Sequence, residues 1–318
     1  MLRLKEKNGM NSNNNVSIIA PKISVLVPVY NDIGRVGQCI DRLRSINYPR
    51  ESYEVIIIDN GSTDGTYEFL QERVKEIETE TFCLLQCLTP GSYAARNEGL
   101  RVASGDYVAF TDSDCLVSSD WLTSLLECWN EQQDDIIVAG KVSFFSDSSK
   151  HTEQNALDFE NMFSMKQEQN AKKGECITAN LFCSMSLIKK HGGFNEKLKS
   201  GGDVEFSRRV VSSGGKVVYS EKAEVFHPSR NKSELIVKRK RVVGGTWDAE
   251  LSKAGFKRKL RFCIGLLKMF LGRTKKTCLH SGFSGKRKTG LIWLLLLIFF
   301  TSLSEFMLLQ LGKEANRS

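Results

Sequence analysis

The stretch from Glu54 to Asp64, EVIIIDNGSTD, decides the fold of this chain. Its apolar part is β-branched throughout and ends on the carboxylate of Asp59. Such a run is typical of a strand buried on both faces of a parallel sheet. The loop that follows is rich in glycine and in small polar residues that can cap a helix. The segment therefore predicts a strand, a loop and a helix in succession.

The same alternation continues on both sides of this stretch. Strands are predicted at Ile23–Val29, Phe82–Gln86 and 107–111, and helices at 36–43 and 93–103. Alternating strands and helices favour an α/β fold with a mostly parallel sheet flanked by helices. The second half is less regular, with one or two strands at 136–145, a polar helix or mobile segment at 154–169, a helix at 204–212 and two short strands at 216–226.

Composition and charge narrow the class of protein. The chain has 318 residues, of which 41% are hydrophobic and 26% charged, so it is neither disordered nor fibrous. Residues 1–229 carry 25 basic and 32 acidic side chains, whereas residues 230–288 carry 18 basic and 3 acidic ones. An acidic body followed by a basic segment indicates a local contact with an anionic surface and no nucleic-acid partner. Nine cysteines without a CxxC pair fit a reducing cytoplasm.

An apolar run follows the basic segment. Residues 291–311, LIWLLLLIFFTSLSEFMLLQL, would form a helix about 31 Å long, enough to cross a hydrocarbon core of about 30 Å. Glu305 inside the run disfavours insertion, but the ten uninterrupted apolar residues at 291–300 offset much of that cost. The sequence therefore predicts a single-pass membrane protein, with an interfacial helix as the alternative. The basic residues at 286–288 leave the body of the protein in the cytoplasm by the positive-inside rule. The polar N-terminus lacks the pattern of a secretory signal and predicts a disordered lead.

Four polar clusters fall at predicted strand ends. They are PVYND at 28–32, DNGSTD at 59–64, DSD at 112–114, and His227. In an open parallel sheet, ligands bind beyond the carboxyl ends of the strands. The first glycine-containing loop matches neither GxGxxG nor GxxxxGK(S/T), which disfavours a dinucleotide-binding fold and a P-loop.

Asp112 and Asp114 directly follow the fourth strand. Two carboxylates in a bent loop can face one hard cation, with phosphate oxygens of a substrate as its other ligands. The sequence therefore predicts a Mn²⁺ or Mg²⁺ site, with a solvated turn as the simpler alternative. His227 ends a later strand and is either a further metal ligand or a packed core residue.

The segment 201–209, GGDVEFSRR, places Asp203 at the start of a helix. A carboxylate there is either a helix cap or a general base that accepts a proton from an attacking hydroxyl. Glu205, two residues further on, is the competing candidate for the base.

These motifs resemble, in this order, those of family 2 glycosyltransferases of the GT-A fold. PVYND, VIIIDNGSTDGT, GSYAARNEGLRVASGDYVAFTDSD and GGDVEFSRR carry the likeness, which covers residues 22–229. The resemblance implies that the first half binds a nucleotide-diphosphate sugar and that the second half holds the acceptor. The chain departs from the family pattern at Asn60 and Gly202, where an acid often stands.

The resemblance also assigns roles to single residues. It implies Asp203 as the catalytic base and a divalent metal, Mn²⁺ or Mg²⁺, held by Asp112, Asp114 and His227. Asp59 matches the position that recognises the nucleobase, usually uracil. The implied nucleotide-sugar-binding residues are Pro28, Tyr30, Asn31, Asp32, Asp59, Arg96 and Asp112.

The predicted organisation has five parts. They are a lead at 1–21, a nucleotide-sugar-binding half at 22–115, an acceptor-binding and catalytic half at 116–229, a basic membrane-proximal helical segment at 230–289, and a transmembrane or interfacial helix at 290–311. The expected function is transfer of a sugar, with inversion, from a nucleotide-diphosphate sugar to a hydroxyl of a glycan or lipid-linked acceptor. We expect the nucleotide to be UDP and the pathway to be polysaccharide or glycoconjugate synthesis. A catalytically silent nucleotide-sugar-binding scaffold and a metal-dependent nucleotidyltransferase are the alternatives.

Overall fold

A computed structural model of the protein describes residues 22–77, 81–132, 135–147, 152–198 and 200–314. The lead predicted at 1–21 lies outside these residues. The strands are β1 (Ile23–Val29), β2 (Tyr53–Asp59), β3 (Phe82–Gln86), β4 (Tyr107–Phe110), β5 (Leu116–Val117), β6 (Ile136–Phe145), β7 (Leu181–Ser184) and β8 (Lys216–Pro228). The helices are α1 (Val36–Arg44), α2 (Thr66–Glu76), α3 (Ser92–Val102), α4 (Trp121–Asn130), α5 (Gln154–Phe163), α6 (Gln167–Ala171), α7 (Met185–His191), α8 (Gly202–Ser212), α9 (Lys232–Thr246), α10 (Phe256–Leu279) and α11 (Gly285–Gln310).

The strands form one eight-stranded sheet in the order β3-β2-β1-β4-β7-β6-β8-β5. Strands β1 to β4 pair in parallel, which confirms the predicted α/β architecture. Beyond β4 the pairing changes, because β7 runs antiparallel to both β4 and β6, and β8 runs antiparallel to β5. The sheet is therefore mixed, with its parallel part confined to the motif-rich first half.

The centre of the sheet is built from the two β-branched runs. Every residue of β1 is buried, and so is β2 from Val55 onwards, as expected for strands covered on both faces. Val29 pairs with Asp59 and Leu26 pairs with Phe110. The C-terminal ends of β1, β2 and β4 therefore lie at the same edge of the sheet, and the predicted polar clusters begin there.

The second half differs from expectation in two places. The segment predicted at 154–169 forms two ordered helices, α5 and α6, and the two short strands expected at 216–226 are one strand, β8. Helix α10 is 24 residues long and contains an apolar stretch at 262–270. The apolar residues of α10 are divided between a packed and an exposed side of the helix.

The described residues divide into two compact units. The first contains residues 22–142, 167–195 and 203–226, with the parallel strands and the polar edge. The second contains 143–166, 196–202 and 227–314, with helices α5, α9, α10 and α11. The predicted divisions after residues 115, 229 and 289 stay predictions.

Helix α11 contains the predicted apolar run and is 26 residues long. Among the described residues it is the one helix with the length and hydropathy to cross a membrane, and 39% of its most apolar window is buried within the protein. Its packed side includes Glu305, which is 1% exposed. The Lys313 ammonium donates to both oxygens of this carboxylate, at 2.8 and 3.0 Å. Glu305, the one acidic residue of the apolar run, is thus neutralised by an ion pair within the protein.

Candidate active site

The loop after β1 is tied to the loop after β2 by a pair of hydrogen bonds. The backbone N–H of Asn31 donates to Ser62 Oγ at 2.9 Å, and the N–H of Thr63 donates to Asn31 Oδ1 at 2.8 Å. Asn31 has a φ of +48°, a left-handed conformation that asparagine tolerates better than most residues. An asparagine therefore fits this position both by its backbone and by its side-chain acceptor.

Asp59 closes β2 and is completely buried. Its Oδ2 accepts hydrogen bonds from the N–H groups of Gly61 and Ser62, at 3.1 and 3.2 Å. Its Oδ1 has no hydrogen-bond partner among the described residues. A buried acceptor without a donor is unfavourable, which marks this oxygen as a place for a ligand N–H or O–H.

Asn60 stands where the family often has an acid, and its contacts explain the amide. Its Nδ2 donates to the carbonyls of Cys87 and Thr89, at 2.8 and 2.7 Å. Its Oδ1 accepts from the N–H of Gly91 at 2.8 Å. A carboxylate could not donate to two carbonyls, so this chain uses the residue to fasten the loop between β3 and α3.

The DSD loop leaves β4 beside Asp32. Ser113 Oγ donates to Asp32 Oδ2 at 2.6 Å, and Arg35 Nε donates to Asp32 Oδ1 at 2.6 Å. The Arg35 guanidinium also lies 3.6 Å from Asp114 Oδ2. Burial raises the pKa of Asp32, while the hydrogen bond from Ser113 and the charge of Arg35 oppose that rise. Asp32 thus holds the DSD loop in place, directly through Ser113 and indirectly through Arg35, which also contacts Asp114.

Arg96, predicted to line the nucleotide pocket, contacts the DSD loop. Its Nη2 donates to Asp112 Oδ1 at 2.5 Å, and its side chain is nearly completely buried. Its Nε is buried and has no hydrogen-bond partner among the described residues. A buried guanidinium with an unused donor can give one more hydrogen bond to an anionic group beside Asp112.

Asp203 is the second residue of α8 and accepts several hydrogen bonds. Its Oδ1 accepts from the N–H of Val204 at 2.9 Å and from the Tyr93 hydroxyl at 3.2 Å. Its Oδ2 accepts from the N–H of Thr178 at 3.3 Å. Removal from water raises the pKa of Asp203, against these hydrogen bonds and the charge of Arg96. Desolvation dominates, so the carboxylate is a better proton acceptor than an ordinary aspartate.

Glu205, the competing candidate for the base, is engaged elsewhere. Arg209 donates to both of its oxygens, at 3.0 and 3.2 Å. The same guanidinium donates to the carbonyl of Gly193 at 2.8 Å. Glu205 therefore has a structural partner in the next turn of α8, and the geometry favours Asp203 as the base.

His227 lies in the second compact unit, one residue beyond the strand pairing of Phe226. It is 2% exposed, and its Nδ1 lies 2.6 Å from the carbonyl oxygen of Pro228. Its Nε2 lies 3.1 Å from Arg230 Nη2. Since arginine only donates, Nε2 is the acceptor and Nδ1 carries the proton. The lone pair needed by a metal is thus directed at Arg230, and the role of His227 as a ligand stays a prediction.

The donor atoms of the DSD loop suit a hard cation. Ligand atoms of Asp112, Asp114 and Cys115 lie within 4.8 Å of one another. Burial raises the pKa of the Cys115 thiol well above its usual range, so the thiol stays protonated and is a poor ligand. The two carboxylates are oxygen donors of the kind that Mg²⁺ and Mn²⁺ prefer. The loop therefore fits the predicted type of metal.

The structure brings most of the predicted site residues to one edge of the sheet. Pro28 lies beyond the last residue of β1 that pairs with β4, and Tyr30 is largely exposed in the loop after β1. Two contacting residues were not predicted from the sequence, Arg35 and Tyr93. Arg35 follows Asp32 by three positions, a spacing compatible with an ion pair, whereas no local pattern marks Tyr93, whose partner is 110 residues away.

Comparison with known proteins identifies relatives by sequence. Residues 24–192 match the family model described as "Glycosyl transferase family 2". The chain is 32% identical over 225 residues to glycosyltransferase AglE of Haloferax volcanii, covering 71% of this chain and 73% of that protein. It is 34% identical over 117 residues to a poly(ribitol-phosphate) beta-glucosyltransferase of Bacillus spizizenii, covering 37% of this chain and 18% of the other.

Solved structures share the fold. A mannosyltransferase from Pyrobaculum calidifontis, in complex with GDP-Man and Mn²⁺, aligns with a TM-score of 0.56 and 18% identity, covering 93% of this chain and 77% of that chain. TarS residues 1–349 from S. aureus, in complex with UDP, align with a TM-score of 0.51 and 16% identity, covering 92% of each chain. At these identities the likeness shows the GT-A type of fold alone.

Proposed function

Since the chain belongs to glycosyl transferase family 2 and is a glycosyltransferase, we propose that it moves a sugar from a nucleotide-diphosphate sugar, UDP-linked, to a hydroxyl of a glycan or lipid-linked acceptor with inversion. One observation carries this proposal. Arg96 and Tyr93, three residues apart on α3, contact Asp112 of the DSD loop and Asp203 of α8 respectively. One helix therefore connects the proposed diphosphate side and the proposed base.

The donor would be held at the ends of β1, β2 and β4. The unpartnered Oδ1 of Asp59 can accept a hydrogen bond from the imide N–H of uracil, a group that matches its need for a donor. The proposed contacts of Pro28, Tyr30, Asn31 and Asp32 lie in the neighbouring loop. The complexes of two solved structures with GDP-Man and with UDP support a nucleotide-diphosphate ligand in general.

Asp112 and Asp114 would hold the divalent metal. Bound there, Mn²⁺ or Mg²⁺ would neutralise the charge that develops on the leaving diphosphate. Arg35 and Arg96, which contact these two carboxylates, add positive charge from the chain itself. His227 is proposed as a further ligand, and this requires Arg230 to leave Nε2.

Asp203 would accept the proton of the acceptor. As the acceptor oxygen attacks the anomeric carbon, its O–H bond breaks and the proton passes to the carboxylate of Asp203. The bond between the anomeric carbon and the diphosphate breaks at the same time, and its electron pair leaves with the diphosphate. The displacement occurs once and from the opposite face, so it inverts the configuration and needs no nucleophile from the enzyme.

The alternative functions fit these observations less well. A catalytically silent scaffold does not require a desolvated carboxylate with a raised pKa beside the nucleotide site. A nucleotidyltransferase would transfer the nucleotidyl group and release a sugar phosphate or inorganic diphosphate, so the released product separates the two reactions.

We also propose that the protein works at the cytoplasmic face of a membrane, in the synthesis of polysaccharide or glycoconjugate. The basic composition of residues 230–288 and the apolar length of α11 support this placement. The orientation and the lipid linkage of the acceptor are part of the proposal.

The direct test is a panel of UDP- and GDP-sugars with a membrane lipid extract and soluble oligosaccharides as acceptors. We expect release of a nucleoside diphosphate that depends on Mn²⁺ or Mg²⁺ and is suppressed in Asp203→Asn. Tight, metal-dependent donor binding without release for any combination would favour the scaffold. Release of a sugar phosphate from the same donors would favour the nucleotidyltransferase.

A further inference from the structure

Helix α11 exposes a stripe of large apolar side chains along its length. Trp293 is 68% exposed and Phe300 is 59% exposed. At 3.6 residues per turn the exposed apolar positions fall within a sector of about 100°. The members of this stripe are Trp293, Leu297, Phe300, Met307 and Leu308 on the helix, and Leu311 directly after it.

Helix α10 exposes a second stripe with basic residues along one flank. Its apolar members fall within a sector of about 80°, and four basic residues occupy the next sector of about 40°. The apolar members are Phe256, Leu260, Ile264, Leu267 and Leu271. The basic members are Lys257, Arg261, Lys268 and Lys275, all exposed.

The two stripes face the same side of the helix pair. Phe262 packs against Phe306, with ring centroids 5.2 Å apart, and Phe270 packs against Phe299 at 5.4 Å. The order of these pairs shows that α10 and α11 run in opposite directions. Around the axis of each helix, the exposed stripe lies about 120° from the packed phenylalanine rings, measured in the direction in which the helix winds from its N-terminus to its C-terminus. Because the helices are antiparallel, equal rotations turn both stripes towards one side.

The other side of α11 is packed against helices that could not enter hydrocarbon. Helix α9 contacts α11 from the cluster of Leu235 and Leu291 to the cluster of Val243 and Phe306, so it follows most of the length of α11. Helix α9 carries five Lys or Arg residues, and α10 carries eight. If α11 spanned a bilayer, both basic neighbours would have to accompany it, and charged side chains at that depth are strongly disfavoured.

Polar contacts on the packed side of α11 agree with this reading. Arg239 of α9 donates to Ser302 Oγ, in the second half of α11, at 2.5 Å. The buried Glu305 accepts from Lys313, which follows the helix. The polar groups of Ser302 and Glu305 thus have hydrogen-bond partners within the protein, and the apolar stripe on the other side of α11 is exposed.

We propose that α10 and α11 together form a docking surface that lies in the plane of an anionic lipid leaflet, so that α11 does not span the membrane. The apolar stripes would enter the boundary between headgroups and acyl chains, and the basic flank of α10 would meet the anionic headgroups. This inference rests on the membrane placement proposed above and decides between the spanning and interfacial alternatives. It does not depend on the transfer chemistry.

The position of the C-terminus distinguishes the two alternatives. An epitope added after Ser318 of the full chain is probed with protease in intact and permeabilised bacterial spheroplasts. In-plane docking predicts an epitope that is protected in intact spheroplasts and cleaved only after permeabilisation. Cleavage in intact spheroplasts, with the rest of the chain protected, would show a spanning helix and overturn the proposal.

Vesicle flotation tests the surface itself. The full chain is expected to bind vesicles of phosphatidylcholine with about one third phosphatidylglycerol and to bind pure phosphatidylcholine several-fold less. Trp293→Glu with Leu267→Glu should weaken binding at least about tenfold, since both side chains are exposed in the protein and would enter the lipid. The matched control is Val102→Glu, an exposed apolar position on α3.

A second variant guards against misfolding of the first. Changing Lys257, Arg261, Lys268 and Lys275 to Gln should reduce binding to the anionic vesicles without affecting the weak binding to neutral ones. Unchanged flotation of both variants would overturn the proposal. The same is true if the wild-type chain ignores vesicles and instead forms a dimer, by light scattering, that Trp293→Glu with Leu267→Glu dissociates. Vesicle binding and nucleoside diphosphate release are measured separately, so loss of binding with release retained would overturn the docking surface and leave the proposed reaction standing.

Discussion

Two aspartates, the partly buried Asp203 and the buried Asp158, lie in different compact units and have opposite surroundings. Asp203 is held by a backbone N–H on each oxygen and by the Tyr93 hydroxyl, all of them neutral donors. Asp158 of α5 is 2% exposed and accepts from two nitrogens of Arg287, at 2.7 and 2.6 Å. A full counter-charge makes Asp158 structural, whereas desolvation raises the pKa of Asp203 against the neutral donors that hold it.

The same contrast holds for the regions around them. At the strand ends, polar side chains are buried and some of their atoms lack partners, as Asp59 Oδ1 and Arg96 Nε do. In the second compact unit, ion pairs within the protein neutralise Asp158 and Glu305, while large apolar side chains of α10 and α11 are exposed. Polar atoms without partners at the strand ends indicate a small polar ligand, and the exposed apolar stripes of α10 and α11 are the surface that we propose to contact lipid.

The largest effect is expected from removing a carboxylate of the DSD loop. Asp114→Ala should abolish turnover and weaken diphosphate binding, because it removes one of the two oxygen donors that fit the metal. Metal-dependent nucleotide binding by calorimetry and diphosphate release measure the two effects. Full activity of this variant in EDTA would contradict the metal assignment, and the strand ends would then no longer differ from the second compact unit as a ligand site.

A smaller effect, on stability alone, is expected at the structural aspartate. Arg287→Ala leaves Asp158 buried without its counter-charge and should destabilise the second compact unit by about 1–3 kcal/mol. Limited proteolysis with denaturant measures the change. Arg101→Ala, which breaks an exposed pair with Glu98, is the control and should change stability by less than about 1 kcal/mol. Equal effects of the two would mean that the Asp158 pair is not structural.

Asn60→Asp restores the acid that the family often has and should nevertheless weaken the site. It removes the donors to the carbonyls of Cys87 and Thr89, at a cost of about 1–3 kcal/mol for groups left without partners. We expect a raised KM for the donor with a smaller change in kcat. Unchanged kinetics would show that the loop between β3 and α3 does not depend on this amide.

The smallest effect concerns stability against pH. The pKa of Asp203 is raised in the folded state, so the folded protein binds this proton more tightly than the unfolded chain does. The contribution of Asp203 to stability is therefore unfavourable above its folded pKa and is relieved as the pH falls through it. Asp203→Asn should be at least as stable as the wild type at neutral pH, with the difference shrinking in acid. A thermal melt of both proteins across pH gives the sign directly.

The sequence predicts the parallel half of the fold because its signals are local. The runs of β1 and β2, and the polar residues that follow them, need only the adjacent chain to be recognised. The family motifs then locate Asp59, Asp112, Asp114 and Asp203. The contacts that join them do not follow from local pattern, since Tyr93 meets Asp203 across 110 positions.

The helices of the second compact unit are harder to predict for a physical reason. Segment 154–169 reads as polar because Asp158 appears charged and unpaired until Arg287, 129 residues away, is placed beside it. Glu305 likewise reads as a defect in a membrane span until Lys313 meets it from beyond the helix. The exposed stripe of α10 follows helical periodicity, but periodicity does not tell which apolar face is packed.

The central claim is that Asp203 is the proton acceptor in a direct displacement. The most direct test measures donor binding and transfer on the same preparations of Asp203→Asn and Glu205→Gln. We expect Asp203→Asn to bind the metal and the nucleotide as the wild type does and to transfer about 10²–10⁴-fold more slowly, the usual scale for loss of a general base. Glu205→Gln should keep most of its activity, because Glu205 is paired with Arg209. A fully active Asp203→Asn beside an inactive Glu205→Gln would contradict the assignment.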